Sequence, residues 1–141
     1  MKSSTTLLLL LFVLLTTACS GRGDGSLSPD APAEAVPPLA GGYVVNGFDP
    51  LGTEYSGVLT IFSTDVPGEY TLQWIIVGSI QEGRGSLEGN KLQVDWYSLA
   101  NFDDKVHGTA IYTVTVNGEL YGTRTVDGHS GVGTETAYPN K

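Results

Sequence analysis

Between Tyr55 and Trp96 apolar residues recur at every second position in short runs, and each run ends at a turn signal. Tyr55, Gly57, Leu59 and Ile61 share one parity, Tyr70, Leu72, Trp74 and Ile76 share the next, and Gly83, Gly85 and Leu87 with Leu92, Val94 and Trp96 repeat it. A period of two belongs to a strand with one buried face, not to a helix. A connection through Thr64-Asp65-Val66-Pro67 predicts Ile61 beside Tyr70, Leu59 beside Leu72 and Gly57 beside Trp74. A two-residue turn at Gly89-Asn90 sets Leu87 opposite Leu92, Gly85 opposite Val94 and Gly83 opposite Trp96. Joining the hairpins through Val77-Gly78-Ser79-Ile80 brings Trp74 beside Gly83. One layer then reads Gly57, Trp74, Gly83, Trp96, with bare backbone making room for indole rings. Gly57, Trp74 and Gly83 are read on this basis as structural.

The same alternation continues on both sides. A strand is predicted from Tyr43-Val44-Val45 to the turn Asp49-Pro50-Leu51-Gly52, and others over Val106–Val116, Glu119–Val126 and Ser130–Tyr138. At Asn117-Gly118 a three-residue turn with a glycine bulge is needed to return Leu120 to the face of Val114. Eight sequential strands with no helix-length segment between them predict an all-β fold, an eight-stranded antiparallel up-and-down barrel over residues 41–141, which removes sheet edges by closure. The alternative is a two-sheet β-sandwich. The start at Gly41-Gly42-Tyr43, the strands Tyr55-x-Gly57-x-Leu59 and Tyr70-x-Leu72-x-Trp74, and Leu120-x-Gly122 resemble small secreted bacterial lipoproteins with avidin-like or lipocalin-like barrels. The resemblance covers residues 41–141 and implies the barrel form. The biotin-binding residues of avidins cannot be placed on this chain, so the resemblance carries no ligand with it.

Composition agrees with strands and narrows the partners. At 141 residues the chain allows one domain, and 19 glycines, 7 tyrosines and a single methionine suit short strands and tight turns. Seven basic residues against fifteen acidic ones, a net charge of −8, exclude a nucleic-acid surface, which needs clustered Lys and Arg. The one cysteine, Cys19, follows the apolar run Leu7–Leu15, itself preceded by Lys2, and ends the stretch Thr16-Thr17-Ala18-Cys19. This resembles a bacterial lipoprotein signal peptidase site, with Thr16 where such sites usually carry Leu. The resemblance implies a signal peptide over 1–18 and lipidation of Cys19 with several acyl chains, palmitate among them, which anchor a domain to a membrane stably. The expected location is the bacterial cell envelope, and Ser20 resembles outer-membrane routing where the organism has that membrane; otherwise the chain is secreted by ordinary signal cleavage. Residues 19–40, rich in Gly, Ser, Pro and Ala, are read as a disordered tether, and the tripeptide Arg22-Gly23-Asp24 within it as a chance occurrence.

No catalytic constellation stands out, so the chain is read as neither an enzyme nor a cofactor protein. Asp103, Asp104 and His107 fit no metal-loop spacing. The barrel interior is more informative. Aromatic residues of inward parity are expected to fill most of it, yet Gln81 and Arg124 share that parity, and a buried guanidinium needs a partner. A turn at Asp127-Gly128 predicts Glu135 opposite Leu120 and Arg124 opposite Gly131, about four residues apart, so the two are not expected to meet. The longer connections fall at one end, the natural mouth, and Arg124, Gln81, Tyr55, Trp96 and Tyr112 form the candidate ligand site beneath loops carrying Phe48, Asp49, Leu99, Phe102, Asp103, Asp104 and His129. The reading is a membrane-anchored, non-catalytic binding module for a small ligand, polar or anionic, or for a protein partner. The alternatives are an inhibitor of an exported hydrolase acting through the loop 98–104, or a purely structural envelope protein.

Overall fold

A computed structural model describes residues 25–99 and 106–141. The eight strands are β1 (Gly41–Phe48), β2 (Glu54–Ser63), β3 (Glu69–Ile76), β4 (Ser79–Glu88), β5 (Lys91–Ser98), β6 (His107–Val114), β7 (Leu120–Arg124) and β8 (Gly133–Pro139). Each pairs antiparallel with the next, and β8 returns to β1, with Tyr43 opposite Pro139 and Phe48 opposite Thr134, so the sheet closes into a barrel. The predicted architecture is therefore the observed one, and the sandwich is not formed.

Side-chain parity holds on every strand. Tyr43, Val45, Leu59, Ile61, Leu72, Trp74, Leu92, Val94, Trp96, Ala110, Tyr112, Val114, Leu120 and Ala137 all point inward and are buried. The β4–β5 register is as predicted, with Gly83 opposite Trp96 and Leu87 opposite Leu92. Val114 lies opposite Leu120 across a three-residue turn in which Gly118 takes φ +80°. Thr115 closes that turn by bonding Glu119 and Gly118 through its backbone.

Three registers differ from expectation, each by two residues, and each for a reason that lies in its turn. After β2 the hydroxyl of Thr64 accepts the Val66 N–H and donates to the Glu69 carbonyl, and Gly68 adopts φ +81°. This local closure uses two more residues than a four-residue turn, so Leu59 faces Trp74 and Gly57 faces Ile76. Between β3 and β4 the turn is only Val77-Gly78, with Gly78 at φ +75°, so Trp74 faces Gln81 and Leu72 faces Gly83. After β7 the chain keeps bonding to β6, Thr125 N–H to the Thr109 carbonyl and Asp127 N–H to the His107 carbonyl. That longer excursion puts Arg124 opposite Gly133 and Glu135 opposite Gly122.

The predicted layer Gly57, Trp74, Gly83, Trp96 is corrected accordingly. Gly57 makes room for β3, since an added Cβ would lie 2.8 Å from the Ile76 side chain, and it does not oppose Trp74. Gly83 does lie against indoles: it is paired with Trp96, and its added Cβ would sit 3.1 Å from the Trp74 ring. Trp96 has a second such neighbour, Gly108, which the sequence reading missed.

The segment expected to be a disordered tether is packed from Ser28 on. Ala31 N–H donates to the Val114 carbonyl and Val116 N–H to the Pro29 carbonyl, extending the edge beyond β6. Asn90 Nδ2 donates to the Ala31 carbonyl at 2.8 Å, and Tyr121 OH to Asp30 Oδ1 at 2.8 Å. Leu39 is buried in the core beside Tyr43, whose hydroxyl donates to its carbonyl at 2.7 Å. The segment covers the barrel end that carries the Gly89-Asn90 turn, so few apolar residues suffice: Ala31, Val36 and Leu39 close an opening that strands alone leave. Residues 1–24, with the signal run, Cys19 and Arg22-Gly23-Asp24, lie outside the described residues, as do Phe102, Asp103 and Asp104.

The plug predicts its own test. Leu39→Ala should lower unfolding stability by about 2–5 kcal/mol, the range for emptying a buried leucine site, whereas Leu51→Ala on the mouth loop should leave it within about 0.5 kcal/mol. Urea unfolding monitored by tryptophan fluorescence reads both. An unchanged midpoint for Leu39→Ala would mean that the end of the barrel is not closed by this segment.

Candidate functional site

One inward layer draws on every strand: Gly47, Tyr55, Trp74, Gln81, Trp96, Tyr112, Arg124 and Glu135. Its centre is the carboxylate of Glu135, which is 1% exposed. One oxygen, Oε1, accepts from Trp74 Nε1 at 3.0 Å and Tyr112 OH at 2.7 Å. The other, Oε2, accepts from Tyr55 OH at 2.6 Å and Arg124 Nη1 at 2.7 Å. Arg124, 5% exposed, also donates through Nη2 to Gln81 Oε1 at 2.6 Å. Its guanidinium lies 4.9 Å from the ring centre of Trp74 and 4.5 Å from that of Trp96. The buried cation therefore has an ion partner, an amide acceptor and two indole faces, which together offset its loss of water.

The expectation that Arg124 and Glu135 do not meet is overturned, because the two-residue shift of β8 brings Glu135 level with Gly122, one step from Arg124. Two glycines make the geometry possible. An added Cβ on Gly47, which stands between Tyr55 and Glu135, would lie 2.6 Å from the Tyr55 ring, and on Gly122 it would strike the backbone of Ile111 and Tyr112. Both tyrosines thus reach over bare backbone to the carboxylate. Burial, and then the negative charge of Glu135, push the Tyr55 hydroxyl well above its ordinary range, and Tyr112 is raised in the same way. Burial alone would pull the Arg124 guanidinium down, but Glu135 and the two tyrosines outweigh it and hold the guanidinium protonated.

Among the described residues, the barrel is open above this layer. A cavity of ≈ 740 Å³ is lined by Arg124, Gln81, Tyr55 and Trp96 from the barrel interior, by Ile76, Val77, Val106, Val126, Asp49, Pro50 and Thr53 at the barrel end, and by Phe48 and Glu54 from the outer face. It continues over the edge to Asn46 and Ser56 on the outer face. Of the five candidate ligand-binding residues, four line this cavity. Tyr112 does not: it is fully buried below, its hydroxyl taken by Glu135. The rim loop is closed by Asp49, whose Oδ1 accepts the N–H groups of Leu51 and Thr53 at 2.9 and 2.8 Å.

His107 is exposed, as its parity predicts, and its Nδ1 lies 2.8 Å from Asp127 Oδ2. Among the described residues no group of three or more His, Cys, Asp or Glu is placed to hold a metal ion. Glu135 and Gly47 are the members of the site that sequence reasoning left out. The signal was present, an inward-parity acid on the last strand of a barrel that also holds an inward arginine, but the assumed register separated them.

Among solved structures, a redesigned β-barrel matches with a TM-score of 0.58 at 17% identity, over 82% of this chain and the whole of that one. At that identity the likeness shows the fold alone, a β-barrel. No protein-family model matches the chain, and no curated protein does.

The site predicts coupled energetics. Arg124→Met leaves a buried carboxylate and Glu135→Gln leaves a buried guanidinium, so each should cost about 3–5 kcal/mol. The double variant keeps an acceptor for Trp74 and Tyr112 and gives the Tyr55 hydroxyl an amide donor to accept from, while removing both charges, and should recover about 1–3 kcal/mol relative to the sum of the singles. Chemical denaturation of the four proteins tests this, and additive losses would show that the pair is not coupled.

Proposed function

We propose that this chain is a lipid-anchored, non-catalytic binding module of the bacterial cell envelope whose barrel takes a small ligand at its mouth. The observation that carries the reading is the contrast along the barrel axis: filled from the Leu39 plug up to the Arg124 layer, and open above it among the described residues, in a cavity of ≈ 740 Å³ that also spreads over the edge of β1 and β2. Sites for small molecules have this size and this mixture of apolar wall and few polar groups. The nature of the floor defines the ligand. The charge of Arg124 is balanced by Glu135 at 2.7 Å, and the rim adds Asp49 and Glu54. An anion therefore gains little here, and the ligand that fits is an uncharged molecule with an apolar body and a hydrogen-bonding end directed at Gln81 and Arg124.

The anchor rests on the run Leu7–Leu15 and the stretch Thr16-Thr17-Ala18-Cys19. With lipid on Cys19, the nine residues to Ser28 reach at most about 32 Å before the chain packs on the closed end of the barrel. The mouth then points away from the membrane, as a binding module requires.

Two measurements test the two halves separately. Radiolabelled palmitate should enter the wild-type protein and not Cys19→Ala; absence of label from the wild type would remove the anchor. The uncharged fluorophore N-phenyl-1-naphthylamine should bind the chain saturably, one per barrel, and Val126→Glu, which sets a charge in the cavity wall, should weaken it by about tenfold or more, a change of ~1.4 kcal/mol. No saturable binding, or binding indifferent to Val126→Glu, would close the mouth as a ligand site.

A further inference from the structure

The outer surface of the barrel is divided into two unlike halves. An antiparallel sheet with one face in water should read polar outside, and β4 and β5 obey, with Glu82, Arg84, Glu88, Lys91 and Asp95 pointing out. The other side does not. Apart from Glu54 and Glu69 at strand ends, no outward residue of β8, β1, β2 or β3 carries a charge. Across this face runs an apolar row joined by register: Val44 opposite Val58, Val58 opposite Ile75, Ile75 opposite Ile80. All four are between 43% and 51% exposed. Single exposed apolar residues need no explanation, but a contiguous row on an uncharged face marks an interaction surface.

We propose that this face holds a second copy of the chain. Charge decides among the occupants. The chain carries a net −8, so two copies repel wherever their acids are opposed, and this face, like the outward positions of β6 and β7, lets them touch without doing so. A bilayer surface would be met by Lys and Arg beside the apolar row, and here the flanking charges are Glu54 and Glu69. A strongly charged protein partner would find nothing to pair with. The row is also complementary to itself. With a two-fold axis between β2 and β3, Val58 meets Ile75 of the second copy and Val44 approaches its Ile80, one valine against one isoleucine at each contact, as an isologous interface demands. The face measures about 20 Å across its strands and about 20 Å along them, and the barrel is convex. Two such faces bury at most about 800 Å² in total, below the range of stable specific interfaces, so the association is weak and concentration-dependent.

Sedimentation equilibrium of the chain from Ser20 onward, which contains every described residue, tests the proposal over concentrations into the hundreds of micromolar. A monomer–dimer equilibrium is expected, and Val58→Glu and Ile75→Glu should each weaken it by about tenfold or more. Should either glutamate variant fail to fold, Val58→Thr and Ile75→Thr keep the β-branched shape and should weaken it in the same direction. A monomer throughout the series, or a dimer indifferent to these substitutions, would overturn the proposal. So would a monomer that binds phosphatidylcholine or phosphatidylglycerol vesicles through this face, lost in the glutamate variants, because the occupant would then be lipid.

Discussion

A carboxylate in the middle of a barrel cannot remain there without donors, and that single requirement organises this molecule. Glu135 collects four hydrogen bonds from β2, β3, β6 and β7, and Arg124 extends the set to Gln81 on β4 and the Trp96 ring on β5. The apolar core does not by itself choose among registers that differ by two residues, since such a slip keeps every hydrophobic side chain inside. A polar layer does choose. Moving β8 by two residues would take Glu135 away from Tyr55, Tyr112 and Arg124 at once and leave charge and donors buried without partners, a penalty of several kcal/mol. Buried polar groups add little net stability, and their value here is that they tell near-equivalent pairings apart.

The limits of the sequence reading follow from the same distinction. Strand parity was legible at each inward position, from Tyr43 to Glu135, because alternation is set by burial and burial is written in residue type. Register was legible where the turn is short and its glycine unambiguous, as at Gly89-Asn90, and it failed by two residues at three other connections. Thr64 closes its turn through its own hydroxyl, Val77-Gly78 turns in fewer residues than four, and the chain after Arg124 stays on β6 before leaving. None of these is a matter of hydrophobic pattern. They are local hydrogen-bond choices, and each moves a side chain by about 6.6 Å along its strand. The site suffered most, because its identity depends on which inward residues meet.

The segment before Gly41 failed for a different reason. Its composition is that of an unordered linker, and the argument from composition asks whether a segment can bury enough surface to order itself. Residues 28–40 do not have to. They lie on a barrel end already built, donate a backbone bond to Val114 and accept one from Val116, and lower one leucine into a waiting core. Order is supplied by the partner surface, which a scan along the chain does not see.

Arg124 is where the two readings of the molecule separate. Taken alone, an inward cation among aromatic rings suggests a hook for an anion. With Glu135 beside it and Gln81 on its other side, it is a tie across the barrel whose charge is spent within the protein. The cavity above inherits from it a polar but neutral floor, and under the proposed binding role selectivity would come from shape, apolar wall and hydrogen bonds to Gln81 and the guanidinium. Such a floor costs a neutral ligand little desolvation on entry, and the acids at the rim oppose an anion before it arrives. The residue that looked most like a binding group is therefore first a structural tie, and in the proposed role it would shape the site chiefly by what it excludes.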